Sequence, residues 1–154
     1  MTETLTPQSQ ISIFADFLDE EVYIIGQFAE QVAVPAGDDV FAAGTNVRSL
    51  HVVIEGALQA RIQPAAGDEV VVGEIQPGDV FGELSFLDGL VRTATVRCVA
   101  NAVLLRVSRH QFDRLQGEYP TIAAKLMGDL ALVLALRLRA ADAMIAGLSA
   151  KANR

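Results

Sequence analysis

Residues 77–96 read PGDVFGELSFLDGLVRTATV, and this stretch decides the fold. Its opening Pro77-Gly78-Asp79 predicts a turn, and Val80-Phe81 then ends a short apolar strand. The segment from Glu83 to Leu87 is long enough for about one helical turn, and the Asp-Gly pair that follows is a helix stop signal. The β-branched residues from Thr93 to Val96 predict a further strand. The stretch therefore predicts a strand, a short helix and a second strand joined by tight turns.

The start of this short helix suits a ligand that carries both an anion and a hydroxyl group. Gly82 has no Cβ, so the backbone can pass close to another group, and nearby N–H groups can bind an anion. Arg92 follows in an apolar context, and a guanidinium can hold a phosphate with two parallel hydrogen bonds. Glu83 would repel that phosphate unless it accepts a hydrogen bond from a hydroxyl, such as one on a sugar. A cyclic nucleotide is one ligand that meets both conditions.

A longer pattern here resembles the phosphate-binding cassette of the cyclic nucleotide-binding domain family, the catabolite activator protein and kinase regulatory subunit type. It consists of Phe81-Gly82-Glu83-Leu84-Ser85 and of Arg92-Thr93-Ala94, whose arginine lies nine residues after the glutamate. The resemblance implies that Glu83 binds the ribose 2′-hydroxyl and that Arg92 binds the cyclic phosphate. It also implies that the glycine, and groups near the serine and threonine, help to hold the phosphate of cAMP or cGMP.

Three of these residues also have a plain structural interpretation. Arg92 alone would fit an ion pair with Glu83 or Asp88, and Glu83 would fit a contact with the helix dipole. Thr93 would fit an ordinary strand residue. A threonine after the arginine resembles the members of the family that select cGMP, although members that bind cAMP also carry a hydroxyl there. The sequence therefore leaves the choice between cAMP and cGMP open.

Contacts to the purine base are expected from two parts of the chain. Val72 and Ile75 belong to an apolar wall, and Arg137 and Leu138 lie where members of the family cover the purine with a C-terminal helix. Arg137 could donate to guanine O6 or N7, or it could be solvated.

The rest of the chain predicts an α+β fold built on an antiparallel, jelly-roll-like β-roll. Short apolar segments separated by glycine-containing turns occupy residues 29–107, a spacing that favours a roll or barrel. The resemblance implies the same roll, and Gly44, Gly56 and Gly78 match its structural glycines. The single cysteine, Cys98, lies in an apolar run, so we expect a buried and inert thiol.

Two helices are expected before the roll. Ile11, Phe14, Phe17 and Leu18 fall on one helical face and predict a short first helix. Asp19 is the expected N-cap of a second helix that reaches about residue 28.

Two more helices are expected after the roll. Ser108 and Gln111 form a capping-box pattern that begins the first of them, and Pro120 suits the first turn of a second that runs to about Leu148. The second helix carries apolar residues at spacings of three and four, namely Met127, Leu130, Leu134, Leu138, Ala141, Ile145 and Leu148. This stripe could pack on the chain's own roll. A helix of about 40 Å would extend beyond a small roll, however, so we expect part of the stripe to form a homodimer.

Composition excludes several classes of protein. The formal net charge of -7 argues against sequence-independent affinity for DNA or anionic membranes. There is no signal peptide pattern, and one cysteine suits a reducing compartment, so we expect a cytoplasmic location. His51 and His110 are not clustered with other ligands, and no catalytic triad or dinucleotide motif is evident, so no metal, cofactor or enzymatic activity is expected.

The sequence thus predicts a single cyclic nucleotide-binding domain over residues 1–154. Helices are expected in residues 1–28, the roll in residues 29–107 with its cassette at 81–94, and further helices in residues 108–148. No DNA-reading segment follows the long helix, so direct DNA binding is not expected. The predicted function is to bind a cyclic nucleotide and to signal through movement of the C-terminal helix to an effector protein. The alternatives are a ligand-free dimerisation or interaction module and an accessory subunit of a transcription regulator.

Overall fold

A computed structural model describes residues 12–152 of the chain and shows a β-roll with helices before, within and after it. Its strands form two antiparallel four-stranded sheets, ordered β1-β8-β3-β6 and β2-β7-β4-β5. This arrangement confirms the predicted roll and its long C-terminal helix. The elements are α1 (Asp19–Gln27), β1 (Glu30–Val34), β2 (Asp39–Phe41), β3 (Ser49–Glu55), β4 (Leu58–Ile62), β5 (Val70–Ile75), β6 (Val80–Phe81), α2 (Glu83–Asp88), β7 (Thr95–Cys98), β8 (Ala102–Ser108), α3 (Arg109–Glu118) and α4 (Pro120–Ala152).

Two hydrophobic clusters hold these elements together. One lies between the two sheets, where side chains such as Val53, Val96 and Leu104 face inward. The other joins the helices to the outside of the roll, with Phe86 and Phe112 in edge-to-face contact. In β7 the buried residues alternate with less buried ones, as expected for a strand with one face on a core. Cys98 is one of the buried residues of β7, and burial raises the pKa of its thiol.

The turn between β3 and β4 depends on Gly56. Its φ of 105° lies in the left-handed region, and a Cβ at this position would lie 2.6 Å from the carbonyl oxygen of Asn101. Only glycine avoids both the strained backbone and the clash. Gly44 and Gly78, the other two glycines matched to the family, also have positive φ. The three glycines therefore shape turns of the scaffold.

The N-terminal helices differ from the prediction. Ile11 lies outside the described residues, and residues 13–17 form turns instead of the expected first helix. The expected N-cap, Asp19, is the first residue of α1, and Leu18 occupies the cap position. Glu21 explains this shift because its Oε1 accepts a hydrogen bond from the Leu18 N–H at 2.9 Å, which satisfies a backbone donor at the helix start.

The C-terminal helices begin where the sequence predicted and run further. Ser108 Oγ accepts from the Gln111 N–H at 3.1 Å, and the Gln111 side chain accepts from the Ser108 N–H at 2.9 Å, which confirms the capping box. Helix α3 ends at Glu118, and the 33 residues of α4 span about 50 Å.

The buried apolar residues of helix α4 all lie in its first half. Leu126 and Leu130 of this half are buried. Leu138, Ile145 and Leu148 of the second half are more than half exposed. Within residues 12–152, no helix combines the length and the hydropathy that a membrane span requires.

Candidate functional site

A cavity of about 250 Å³ lies between the β2-β7-β4-β5 sheet and the start of α2. Its apolar walls come from β2, β4, β5, β6 and β7, and one residue of α4 reaches it. It brings together eleven of the twelve residues predicted for the site: Val72, Ile75, Phe81, Gly82, Glu83, Leu84, Ser85, Arg92, Thr93, Ala94 and Arg137.

Leu138 is the predicted site residue that does not line this cavity. Its side chain is 64% exposed, although Arg137 immediately before it reaches the cavity. Successive residues of an α-helix point about 100° apart because the helix has 3.6 residues per turn. The structure thus leaves Leu138 outside the lining of this cavity, which corrects its expected place at the site.

Arg92 is the most deeply buried charge at the cavity, with 3% of its surface exposed. Its Nη1 donates to the carbonyl oxygen of Gly82 at 2.7 Å, and its Nη2 donates to the carbonyl oxygen and Oγ of Ser49 at 2.9 and 3.0 Å. The guanidinium also lies 4.1 Å from the ring centre of Phe41. These contacts hold the guanidinium on several sides.

No carboxylate forms an ion pair with Arg92 in the described part of the chain. Its Nε–H is buried and has no hydrogen-bond partner within the same residues. Burial lowers the pKa of Arg92, and the charge of Glu83 opposes that shift. Arg92 therefore does not form the ion pair with Glu83 or Asp88 that its structural interpretation would require. Asp88 instead accepts a hydrogen bond from the Leu90 N–H at 2.8 Å.

Glu83 pairs with the long C-terminal helix. Its Oε1 accepts a hydrogen bond from Arg137 Nη1 at 2.9 Å, and Arg137 Nη2 donates to the carbonyl oxygen of Val80 at 2.6 Å. Glu83 is 9% exposed, so this ion pair is largely shielded from water. Arg137 thus binds the carboxylate that we expect to accept a hydrogen bond from a ligand hydroxyl. It also links α4 to both β6 and α2.

Gly82 gives the chain the space that this arrangement requires. Its φ of 76° is left-handed, and a Cβ would lie 2.7 Å from Arg92 Nη1, 3.0 Å from the Ser49 carbonyl oxygen and 3.3 Å from His51 Nδ1. Any other residue would push Arg92 out of place. The close backbone approach predicted for Gly82 is therefore made to Arg92 and β3.

His51 packs behind the cavity lining, against Phe81, and its only sequence signal is a histidine within an apolar strand. Its ring stacks on that of Phe81 with 4.9 Å between centres and 11° between planes. It is buried, and its Nδ1 has no hydrogen-bond partner within residues 12–152. Burial, helped by the charges of Arg92 and Arg106, lowers the pKa of His51 to about 3.

This depressed pKa predicts a pH-dependent stability. Because unfolding returns His51 to its ordinary pKa of 6.5, the unfolded chain binds an extra proton between pH 6.5 and 3. The contribution of His51 to stability is fully present above pH 6.5 and is lost as the pH falls toward 3. Between pH 7 and pH 5, wild type should lose about 2 kcal/mol more of its unfolding free energy than His51→Phe, which has an aromatic ring at this position that does not titrate. Urea unfolding at both pH values measures this difference, and parallel losses in the two proteins would contradict it.

Metal ligands are not clustered at this site. Between residues 12 and 152, no group of three His, Cys, Asp or Glu side chains is placed to hold a metal ion.

Comparison with known proteins connects this geometry with one family. Residues 31–119 match the family model described as "Cyclic nucleotide-binding domain". The chain is 30% identical over 130 residues to the cyclic AMP receptor protein of Thermus thermophilus, an alignment that covers 84% of this chain and 58% of that protein.

Solved structures show the same relationship. The catabolite activator protein of Thermus thermophilus has a TM-score of 0.79 and 29% identity, over 90% of this chain and 63% of that one. The regulatory domain of Toxoplasma gondii PKA, crystallised with cAMP, has a TM-score of 0.59 and 27% identity, over 68% of this chain and 40% of that one. The chain thus spans less than two thirds of the length of each of these relatives. With the family model covering more than half of its residues, the chain belongs to the cyclic nucleotide-binding domain family.

Proposed function

We propose that the cavity binds a cyclic purine nucleotide, cAMP or cGMP, and that Arg92 binds its phosphate. The observation that carries this proposal is the burial of the Arg92 guanidinium at the cavity without a carboxylate partner among residues 12–152. A buried cation is costly unless an anion compensates it. A cyclic phosphodiester carries one negative charge, which matches this one guanidinium.

The hydrogen-bond donors of Arg92 leave room for such an anion. A guanidinium has five N–H groups, and the three acceptor atoms on Gly82 and Ser49 occupy at most three of them. The remaining donors include the buried Nε–H, which has no partner in the described residues. At least two donors, among them the Nε–H, thus remain for phosphate oxygens.

Glu83 can bind a ribose hydroxyl while it remains paired with Arg137. A carboxylate accepts about four hydrogen bonds, and Arg137 uses one of these positions at 2.9 Å. The apolar residues of the cavity, including Val72, Ile75 and Val96, suit the flat faces of a purine. Thr93 also lines the cavity, where its hydroxyl can contact the phosphate or the base.

The ligand would signal through Arg137 because this residue joins the site to α4. A hydroxyl that donates to a free acceptor position of Glu83 shares the carboxylate with Arg137 and draws negative charge away from the ion pair, and so favours one position of α4 over another. The exposed Leu138, Ile145 and Leu148 of α4 would pass this change to a second copy of the chain or to an effector.

Arg137→Ala tests this route, with Arg139→Ala as the matched control two residues along the same helix, where the side chain is exposed. Arg137→Ala should still bind cAMP or cGMP within about 10-fold of wild type, because Arg92 and the cavity remain. It should lose the nucleotide-induced change in hydrogen exchange along the second half of α4, and Arg139→Ala should keep that change. A full α4 response in Arg137→Ala would contradict the route.

Mass spectrometry of the small molecules that copurify with the folded protein tests the ligand itself. The proposal expects a cyclic purine nucleotide in wild type and its loss in Arg92→Leu. A different molecule that persists in Arg92→Leu would overturn the proposal. The exposed apolar half of α4 supports the alternative of an interaction module, which predicts no copurified nucleotide and unchanged self-association when cAMP or cGMP is added.

A further inference from the structure

Ser49 contacts Arg92 from inside the fold, at a position outside the cassette. It is the first residue of β3, is 3% exposed and lies 43 residues before Arg92 in the chain. Both its carbonyl oxygen and its Oγ accept from Arg92 Nη2. Ser49 does not line the cavity, so it reaches a ligand only through Arg92.

The orientation of the guanidinium depends on few groups. Phe41 covers its face, and a face contact leaves rotation within the plane free. Gly82 fixes Nη1 and Ser49 fixes Nη2. With both Nη atoms held from the protein side, the remaining donors, among them Nε–H, are left for an anion. The Ser49 hydroxyl is the only side-chain acceptor for Arg92 within residues 12–152.

We propose that Ser49 is a positioning residue, whose hydroxyl orients Arg92 so that its free donors meet the phosphate. The expected effect of the Ser49 hydroxyl on nucleotide affinity rests on the proposed function. Its effect on the orientation of Arg92 rests on the geometry alone. A hydroxyl that instead held Arg92 away from the ligand would give the opposite effect, since its removal would raise affinity. The number of free donors favours positioning, because nucleotide binding need not break either bond to Ser49.

Calorimetric titration of the full chain with cAMP and cGMP is the first arm of the test. Ser49→Ala should lower the affinity for whichever nucleotide binds wild type more tightly by about 10-fold. This is about the contribution of one hydrogen bond to a charged group. Ser49→Thr, which retains the hydroxyl, should stay close to wild type. In the background of Arg92→Lys, which lacks Nη2, Ser49→Ala should have no further effect. An unchanged or raised affinity of Ser49→Ala would overturn the proposal, as would an equal loss in the Arg92→Lys background.

Nitrogen-15 NMR of the arginine side chains, without nucleotide, is the second arm. The Arg92 Nε–H signal is identified by its absence in Arg92→Lys, and Ser49→Ala should shift it while Ser49→Thr restores it. An unmoved signal would overturn the positioning role. If wild type binds neither nucleotide, the proposed function fails, yet this arm still decides whether Ser49 orients Arg92. If Ser49→Ala does not fold, Ser49→Cys replaces it in both arms, because its sulfur is a weak acceptor.

Discussion

Replacing Arg92 with leucine is expected to lower the affinity for cAMP or cGMP by roughly 100- to 1,000-fold, because the phosphate would lose its buried charge partner. The guanidinium is 3% exposed and lines the cavity, so its charge acts on a ligand with little screening by water. Leucine offers no donor for the phosphate. Isothermal titration of the two proteins measures the loss.

Arg106→Leu is the matched control for this substitution. Arg106 lies on β8 and is 40% exposed in an ion pair with Glu30, away from the cavity lining. Its replacement removes the same charge and should leave nucleotide affinity within about twofold, since an exposed pair contributes little. Equal affinity of Arg92→Leu and wild type would contradict the phosphate role of Arg92. An equal loss in Arg106→Leu would show that net charge, and not the site, governs binding.

Gly82→Ala is expected to reduce both stability and nucleotide binding. The new Cβ would lie 2.7 Å from Arg92 Nη1 and 3.0 Å from the carbonyl oxygen of Ser49, so the guanidinium must move. The left-handed φ of 76° adds backbone strain. We expect a loss of about 3 kcal/mol in unfolding free energy, from strain and overpacking together. Affinity for cAMP or cGMP should fall at least about 10-fold, because Arg92 is displaced.

Gly37→Ala separates the two causes. Gly37 has a φ of 91°, and nothing lies within 4 Å of a Cβ built there, so this variant carries the strain without the clash. It should lose only about 1 kcal/mol of stability and keep its nucleotide affinity. Urea unfolding and titration of both variants make the comparison. Equal losses of stability in the two would mean that the contact between Gly82 and Arg92 does not constrain the site.

Local patterns in the sequence predicted much of the fold, because the interactions behind them span few residues. The capping box of Ser108 and Gln111 joins residues three apart, and Pro120 begins α4 where a proline is favoured. The cassette could be predicted for the same reason, because its strand, glycine and short helix follow one another along the chain. The prediction of Asp19 as the N-cap was wrong because the helix begins one residue earlier. Glu21 accepts a hydrogen bond from the Leu18 N–H, which makes Leu18 the cap residue.

Contacts between distant segments are what the sequence could not predict. The Glu83–Arg137 pair joins residues 54 apart, and Arg92 meets Ser49 across 43 residues. Both depend on how α4 and β3 pack against the cassette, which no periodic pattern specifies. His51 gave no signal for the same reason, since its stacking on Phe81 arises only when β3 pairs with β6. Leu138 was expected at the cavity because of where members of the family cover the purine, and the resemblance does not specify which of two neighbouring helix residues faces the cavity.

Titration of wild type with cAMP, cGMP and the linear nucleotide 5′-AMP tests the central claim most directly. If Arg92 and Glu83 bind a cyclic phosphate and a ribose hydroxyl at this cavity, at least one cyclic nucleotide should bind saturably with one site per chain. The doubly charged 5′-AMP should bind at least about 10-fold more weakly, because Arg92 is the only fully buried cation that lines the cavity within residues 12–152. Absence of binding by both cyclic nucleotides at millimolar concentration would contradict the claim.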